Sequence, residues 1–255
     1  MRTILLCAGF ATRMYPLTKD FPKPLLEVAG KPVLDYLLDQ LIDLPDLREI
    51  HLVSNARFAR HFEAWQADWR ERLVAHNKTL TVHDDGTTDN ENRLGAVADL
   101  AFVLDRLPDL QPTMITAGDN IFRFALAPIW QDFRENGQNY VLALRETRIE
   151  RLRRTGVLEL AENDQVMKLH EKPQAPPSEW TAPAFYCLHP AALRHVSDYL
   201  SQPNAQDAPG HFIAYLVERE PVFAAKIAGT RFDIGSMQSY REANQILQSE
   251  PAIVT

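Results

Sequence analysis

The sequence has little cysteine, no excess of basic residues and no long hydrophobic run. Its 255 residues include two cysteines, Cys7 and Cys187, which lie far apart and form no paired metal-ligand spacing or dense disulfide framework. A disulfide scaffold is therefore excluded, and a reducing, cytoplasmic location is expected. The 27 Lys and Arg residues against 34 Asp and Glu residues give a net charge of -7. This balance argues against a nucleic-acid partner, because such binding draws on clustered basic side chains.

The apolar runs are short, which excludes the membrane-spanning classes. The run at residues 4–8 is shorter than the ~7–15 residues of a signal-peptide core, and charged residues and prolines follow it closely. We interpret it as a buried strand. No stretch approaches the ~20 apolar residues needed to cross a bilayer, so no membrane partner is expected.

Short apolar runs alternate with longer segments of helical periodicity, which predicts an α/β protein with a mostly parallel sheet. The predicted strands are residues 3–8, 50–54, 80–83, 112–117, 140–145, 156–160, 166–170, 184–188 and 222–226. The predicted helices are residues 33–44, 58–75, 95–106, 191–200, 211–218 and 239–247. Strands without long helices between residues 140 and 169 predict an antiparallel insertion. The proline-rich residues 173–183 predict an extended loop.

The loop after the first predicted strand, residues 9–23, has the features that a triphosphate requires. Gly9 and Ala11 keep side chains small, so that backbone N–H groups can approach phosphate oxygens, and Arg13 and Lys23 bring two positive charges. The loop lies beyond the carboxyl end of a strand, where open α/β sheets bind ligands. It lacks both the Walker A pattern and G-x-G-x-x-G, which argues against P-loop proteins and dinucleotide-dependent oxidoreductases.

The segments GFATRMYPLT and FPKPLLEVAGKPVLDY closely resemble the N-terminal signature of sugar-1-phosphate nucleotidyltransferases, the family of glucose-1-phosphate thymidylyltransferases and uridylyltransferases. The resemblance covers roughly residues 3–245. It implies a three-layer α/β/α Rossmann-like fold with a mostly parallel mixed sheet. It also implies an enzyme that joins a nucleoside triphosphate to a sugar 1-phosphate and releases pyrophosphate.

The resemblance gives roles to the basic residues of the loop. Arg13 would contact the β- and γ-phosphates, and Lys23 would neutralise charge around the α-phosphate, so both are expected catalytic residues. The expected nucleotide-binding loop consists of Ala8, Gly9, Phe10, Ala11, Thr12 and Arg13. The family usually has Gly-Gly-x-Gly-Thr-Arg here, and alanine serves at position 11 only if its φ is negative or mildly strained.

Two aspartates are candidate ligands for Mg²⁺. Asp119 follows a buried strand in the segment AGDN, and Asp233 lies in FDIGSMQSY. Mg²⁺ is usually held by one or two carboxylates, with waters and substrate phosphates completing its shell. The two segments resemble the family motifs G-D-N and D-I-G-T-P-x-x-Y, so the resemblance implies that Asp119 and Asp233 bind the metal.

Two further segments resemble substrate-binding parts of the family. Leu94 and Gly95 belong to a loop like the one that packs on the nucleobase. The run TGVLELAENDQVMKLHEKP resembles the family's Y-G-V-x-E…E-K-P segment, which implies that Gly156, Glu171 and Lys172 bind the sugar phosphate. We favour dTTP or UTP as the nucleotide, while the sequence leaves the base and the sugar open.

We expect one nucleotidyltransferase domain over residues 1–255. Its nucleotide-binding part would cover about 1–135, its sugar-binding part about 136–235, and a C-terminal helix about 239–248. An acceptor such as phosphocholine or a phosphorylated amino sugar stays open, as does a non-catalytic regulator that binds a nucleotide sugar. Homo-oligomerisation also stays open, although Trp65 and Trp69, four residues apart on one predicted helix, indicate a core face.

Overall fold

The structure, a computed structural model, describes residues 1–203, 205 and 207–249. Its strands are β1 (Arg2–Leu6), β2 (Glu27–Val28), β3 (Lys31–Pro32), β4 (Glu49–Ser54), β5 (Thr79–Asp84), β6 (Thr113–Ala117), β7 (Asn120–Arg123), β8 (Asn139–Arg145), β9 (Gly156–Leu160), β10 (Val166–Glu171), β11 (Trp180–Ala182), β12 (Phe185–Leu188), β13 (Val222–Ile227) and β14 (Thr230–Asp233). Its helices are α1 (Val33–Ile42), α2 (Ala59–Ala75), α3 (Ala96–Leu104), α4 (Ala127–Asn136), α5 (Ile149–Leu152), α6 (Pro190–Leu200), α7 (Pro209–Leu216) and α8 (Met237–Ser249). Over the described ranges, none of these helices combines the length and apolar character needed to cross a membrane.

The chain divides into two compact units. Unit 1 consists of residues 1–94, 117–127 and the described part of 229–255, and unit 2 of residues 95–116 and 128–228. These boundaries differ from the expected divisions near residues 135 and 235. The assignment of nucleotide and sugar binding to separate parts of the chain stays a prediction.

Unit 1 is built on a parallel sheet in which β4 pairs with both β1 and β5. Helix α1 buries Val33, Leu34, Leu37, Leu38 and Leu41, a spacing that gives one apolar face. In α2, Trp65 and Trp69 are 7% and 5% exposed, which confirms that their shared face is core.

The C-terminal helix of unit 1 packs beside the antiparallel pairs β2–β3 and β7–β14. A hydrophobic cluster joins these elements and consists of Met14, Leu26, Val28, Val33, Ile121, Ile234, Ala243 and Leu247. At the edge of this cluster the Tyr240 hydroxyl donates to the carbonyl oxygen of Glu27 at 2.7 Å. The Asn244 Oδ1 accepts from the backbone N–H of Ala29 at 2.9 Å. Helix α8 is thereby attached to the segment that follows the first loop.

Unit 2 contains a mainly antiparallel group of strands. Strand β12 pairs with β6 and β8, β11 pairs with β8 and β9, and β10 pairs with β9, all antiparallel. Strand β13 pairs with β8 in parallel. The predicted α/β class, with parallel and antiparallel strands, is therefore confirmed.

Several elements of the fold were not predicted, including the short strands β2 and β3 and the short helix α5. Residues 173–183, predicted as a loop, contain β11, in which Trp180 and Thr181 pair with Arg145 and Leu144 of β8. Their strand propensity and cross-strand pairing outweigh the flanking prolines. Helix α4 was not predicted, although it buries Ile129, Trp130 and Phe133. The short strands β7 and β14 were also missed, since four-residue strands leave little periodicity to detect.

Candidate active site

The first loop of unit 1 begins where β1 ends and is held against the sheet. The carbonyl oxygen of Ala8 accepts a hydrogen bond of 2.8 Å from Nδ2 of the buried Asn55. The Phe10 side chain is 2% exposed and packs on Phe58, with ring centroids 6.2 Å apart. Since the Phe10 ring belongs to the core, only its backbone is available to a nucleotide.

Ala11 has φ 48° and ψ 40°, in the left-handed region. Its φ is therefore positive, where a residue with a Cβ is strained and a glycine is not. The conformation is held because the carbonyl oxygen of Ala11 accepts from the Met14 N–H at 2.9 Å and from the Thr18 hydroxyl at 2.8 Å. Thr12 and Arg13 then begin a short 3-10 turn, Thr12–Met14.

Arg13 lies near the second predicted metal ligand, Asp233. A Cβ added at Gly235 would lie 3.9 Å from Nη2 of Arg13 and 3.1 Å from Oδ1 of Asp233. The guanidinium and the carboxylate thus lie near the same small residue. The positive charge of Arg13 lowers the pKa of Asp233, but burial and the negative charge of Asp119 raise it by more.

Lys23 forms an ion pair with Asp119 through Nζ and Oδ2, and Lys23 is largely buried. Burial by itself raises the pKa of Asp119, but the charge and hydrogen bond of Lys23, with the charge of Arg231, outweigh it. The pKa of Asp119 therefore lies below its ordinary value. Asp119 is held as a carboxylate beside a cation.

Asp233 is brought next to Asp119 by the pairing of β7 with β14. Asp233 lies opposite Asn120 in the register, and the Ile234 N–H donates to the carbonyl oxygen of Asp119 at 3.0 Å. Burial, and then the negative charge of Asp119, raise the pKa of Asp233. The negative charges of these two adjacent carboxylates repel each other. A hard divalent cation would relieve that repulsion, so the pair fits such an ion.

The described residues contain no cluster of three or more His, Cys, Asp or Glu side chains that could hold a metal ion. The candidate ligand set is therefore limited to the pair Asp119 and Asp233. This small set suits Mg²⁺, which keeps several waters and binds substrate phosphates, better than it suits a metal that needs a closed protein cage.

Arg231 was not among the predicted site residues, and Asn120 had no predicted role. Arg231 donates from Nη1 to Oδ1 of Asn120 at 2.7 Å, and Asn120 donates from Nδ2 to Oδ1 of Asp119 at 2.8 Å. The available signal was the spacing between Arg231 and Asp233, because residues two apart on a strand share a face.

The two residues predicted to contact the nucleobase lie on either side of a unit boundary. Leu94 ends a segment of unit 1 and is 44% exposed, and Gly95 begins a segment of unit 2. Gly95 has φ 99°, and a Cβ there would lie 2.5 Å from Oδ1 of Asp207. The same Asp207 oxygen accepts from the Ala96 N–H at 2.6 Å. Only glycine fits at position 95.

The three residues predicted to bind the sugar phosphate lie together in unit 2. Glu171 ends β10 and lies opposite Gly156 at the start of β9. A Cβ at Gly156 would lie 3.4 Å from Oε2 of Glu171, and one at Gly210 would collide with the same oxygen. The Glu171 carboxylate is thus seated between two glycine backbones. Lys172 is 61% exposed, and its Nζ lies 3.6 Å from Oε1 of Glu171.

Sequence comparison identifies the family of this chain. The sequence model described as Nucleotidyl transferase matches residues 2–250. The chain belongs to this family. It is therefore a nucleotidyltransferase enzyme, in agreement with the resemblance found in its first 36 residues.

Individual relatives of this nucleotidyltransferase differ in the base that they are named for. The UTP-glucose-1-phosphate uridylyltransferase AglF of Haloferax volcanii is 28% identical over 267 residues, with 100% of both chains covered. The mannose-1-phosphate guanylyltransferase catalytic subunit beta of Drosophila pseudoobscura is 24% identical over 239 residues, covering 94% of this chain and 60% of the relative. A solved UDP-glucose pyrophosphorylase with UDP-glucose bound has a TM-score of 0.80 at 17% identity, covering 96% of this chain and 97% of the other. The last likeness concerns the fold alone.

Proposed function

We propose that this nucleotidyltransferase transfers a nucleoside monophosphate from a nucleoside triphosphate to a sugar 1-phosphate and releases pyrophosphate. One observation carries the proposal. Unit 1 brings the carboxylates of Asp119 and Asp233 together with the positive charges of Arg13 and Lys23. This is the charge pattern that a triphosphate with a divalent cation requires.

The reaction needs charge stabilisation more than it needs a protein nucleophile. An oxygen of the sugar phosphate forms a bond to the α-phosphorus, and the bond from that phosphorus to the bridging oxygen breaks, so that pyrophosphate leaves with the electron pair. The attacking phosphate is already ionised at neutral pH, so no general base is required. Catalysis then depends on positioning anions and neutralising their charge.

The basic side chains of unit 1 are suited to that neutralisation. We assign Arg13 to the β- and γ-phosphates, where it would stabilise the leaving pyrophosphate, and Lys23 to the charge around the α-phosphate. The backbone of residues 8–13 would contact the phosphates. Lys23 pairs with Asp119 in the structure, so it would exchange this partner for a phosphate oxygen.

We assign Asp119 and Asp233 as the ligands of Mg²⁺. When bound there, the ion would supply Lewis-acid stabilisation to phosphate oxygens. The carboxylates supply the hard oxygen donors that this ion prefers, and their mutual repulsion favours its binding.

For the substrates, we assign Leu94 and Gly95 to the base, and Gly156, Glu171 and Lys172 to the sugar phosphate. The Glu171 carboxylate, seated against Gly156, can accept hydrogen bonds from sugar hydroxyls. UTP or dTTP with a glucose-type 1-phosphate is our first choice, in keeping with the name of the Haloferax volcanii relative.

Pyrophosphate release in the presence of Mg²⁺ tests the proposed function. Five triphosphates (dTTP, UTP, GTP, CTP and ATP) are screened against the 1-phosphates of glucose, mannose, galactose, glucosamine and heptose. Release that requires one triphosphate together with one sugar phosphate is the expected result. Release with none of the sugar phosphates, together with release when phosphocholine is the acceptor, would replace the sugar by another phosphorylated compound.

Asp119→Asn should reduce turnover with the active pair by about 10²–10³, the usual effect of removing one preorganised charge stabiliser. The matched control is Asp132→Asn, which neutralises an exposed aspartate of α4 and should leave turnover unchanged. Near-normal turnover of Asp119→Asn would contradict the metal assignment.

A further inference from the structure

Asn120 connects an arginine to the carboxylate of Asp119. Its side chain is 2% exposed. Its Nδ2 donates to Oδ1 of Asp119 at 2.8 Å, and its Oδ1 accepts from Nη1 of Arg231 at 2.7 Å. The three side chains form a continuous hydrogen-bonded chain across the β7–β14 pair.

The chemistry of the two partners permits only one orientation of the Asn120 amide. A guanidinium can only donate hydrogen bonds, and an ionised carboxylate can only accept them. A flipped amide would turn its NH₂ group toward Arg231 and its oxygen toward Asp119, and both hydrogen bonds would be lost. Arg231 and the Asp119 carboxylate therefore favour the same amide orientation, and Arg231 strengthens the preference for Nδ2 facing the carboxylate.

Arg231 also forms a long ion pair with Asp233, but only its contact with Asn120 is a hydrogen bond. Nη2 of Arg231 lies 3.8 Å from Oδ2 of Asp233, which is beyond hydrogen-bond range, whereas Nη1 makes a short bond to Asn120. On Asp119, Oδ1 is held by Asn120 while Oδ2 faces Lys23. One oxygen is thus held by Asn120, and the other is paired with Lys23 of the loop.

We propose that Arg231 is a positioning residue that acts through Asn120 to orient the Asp119 carboxylate for the divalent cation. The inference rests on the proposed function, because it assumes that Asp119 is a metal ligand. It adds two residues that hold the ligand without touching the metal. Such outer partners of metal ligands commonly change metal affinity by about 10–100-fold when removed.

The sign of the effect distinguishes positioning from simple electrostatics. A positive charge beside two carboxylates disfavours a second cation, so removal of the Arg231 charge alone should strengthen metal binding. Loss of the hydrogen-bonded orientation should weaken it instead. A weaker metal affinity in a variant that has lost a positive charge is therefore the specific signature of positioning.

The test is a double-mutant cycle read by direct Mn²⁺ binding, with free Mn²⁺ followed by electron paramagnetic resonance. The full chain, Arg231→Met, Asn120→Leu and the double variant are titrated without nucleotide, and folding is checked by thermal melting. The matched control is Arg123→Met, which removes a positive charge from β7 in the same antiparallel strand pair, where Arg123 lies opposite Thr230. If Arg231→Met does not fold, Arg231→Lys replaces it in the cycle.

Arg231→Met should raise the dissociation constant for Mn²⁺ about tenfold, and Arg231→Lys at least about threefold. In the Asn120→Leu background, Arg231→Met should change the dissociation constant for Mn²⁺ by less than about twofold, because no amide then connects Arg231 to Asp119. Arg123→Met should also change it by less than about twofold. Unchanged or tighter binding by the Arg231 variant, or effects that multiply in the double variant, would overturn the proposal.

Asp119→Asn distinguishes this failure from failure of the proposed function. It should abolish the Mn²⁺ binding seen with the wild-type chain. If the wild-type chain binds no Mn²⁺, or if Asp119→Asn binds it equally well, the metal assignment fails and the positioning role fails with it. If Asp119→Asn loses binding while the Arg231 variants keep it, only the positioning role is wrong.

Discussion

Ala11 adopts a left-handed backbone conformation, with φ 48°, in the middle of the candidate phosphate-binding loop. The carbonyl oxygen of Ala11 is held by Met14 and Thr18, so the surrounding loop imposes the strained angle. Glycine adopts this angle without a Cβ penalty, which explains in physical terms why glycine usually stands at this position in the family that the loop resembles. The strain at Ala11 is a local cost that a single substitution can remove.

Ala11→Gly should raise the free energy of unfolding by about 0.5–1 kcal/mol, because it relieves the left-handed strain. The measurement is urea unfolding. Ala8→Gly in the same loop is the control, since Ala8 lies outside the left-handed region, and glycine there adds freedom to the unfolded chain and removes a buried methyl group. It should lower the free energy of unfolding by about 1–2 kcal/mol. Equal effects of the two substitutions would contradict the interpretation.

At the scale of elements, Asp35 of α1 joins that helix to α2. Its Oδ1 accepts hydrogen bonds from Nε1 of Trp65 at 2.6 Å and from Nε1 of Trp69 at 3.1 Å. Burial raises the pKa of Asp35, although the two indole hydrogen bonds act in the opposite direction. The contact between α1 and α2 therefore depends on the Asp35 oxygen as a hydrogen-bond acceptor more than on its negative charge.

Asp35→Ala should therefore destabilise the protein by about 1–3 kcal/mol, because two buried indole N–H groups lose their acceptor. Asp35→Asn keeps an acceptor oxygen without a buried charge and should cost clearly less. Urea unfolding followed by tryptophan fluorescence measures both. A larger loss for the asparagine variant would mean that the charge itself stabilises the α1–α2 contact.

Elements also differ in how far their sequence predicts them. Helix α1 and strands β4 and β9 appear close to their predicted positions, because a long apolar period or a short apolar run is visible locally. Strands β7 and β14 were missed, although they carry Asn120, Arg231 and Asp233. Their strand geometry depends on mutual pairing across more than 100 residues of sequence, and local periodicity contains no such information.

For the whole molecule, one buried and one partly buried histidine link stability to pH. Burial lowers the pKa of His51, against the opposing effect of the hydrogen bond that the carboxylate of Glu49 accepts from Nε2 of His51, and burial likewise lowers the pKa of His189. A histidine whose folded pKa is below its unfolded value of 6.5 takes up its proton more readily when unfolded. The stability that such a histidine contributes above its unfolded pKa is therefore lost as the pH falls through that value toward the folded pKa. The raised pKa of Asp35 and Asp233 acts in the opposite direction, because the folded state then binds their protons more tightly.

His189→Asn should flatten the dependence of unfolding free energy on pH between about pH 7 and pH 5. The slope per histidine is at most about 1.4 kcal/mol per pH unit, so the change should be below that limit. His76→Asn, which makes the same substitution at an exposed histidine, is the matched control, and the change at His189 should be the larger of the two. A slope unaltered by His189→Asn would show that other groups carry the acid sensitivity.

The candidate site was predictable where its residues lie in continuous motifs. Arg13 and Lys23 follow the first strand in one long signature, and Asp119 and Asp233 lie in short motifs at strand ends. The structure brings these four together in unit 1. Whether they perform the assigned roles stays a prediction that the pyrophosphate and Mn²⁺ measurements test.

The sequence by itself determined the α/β class, the family and the charged residues of the loop, because each depends on local periodicity or on a contiguous motif. Only the tertiary structure decided that Arg231 faces Asn120, 111 positions away, and that the Glu171 carboxylate lies between Gly156 and Gly210. The positive φ of Ala11 was likewise decided by the loop around it. The physical reason is the same in each case: these contacts depend on how strands and turns are packed, and a linear pattern does not encode the orientation of one side chain toward another.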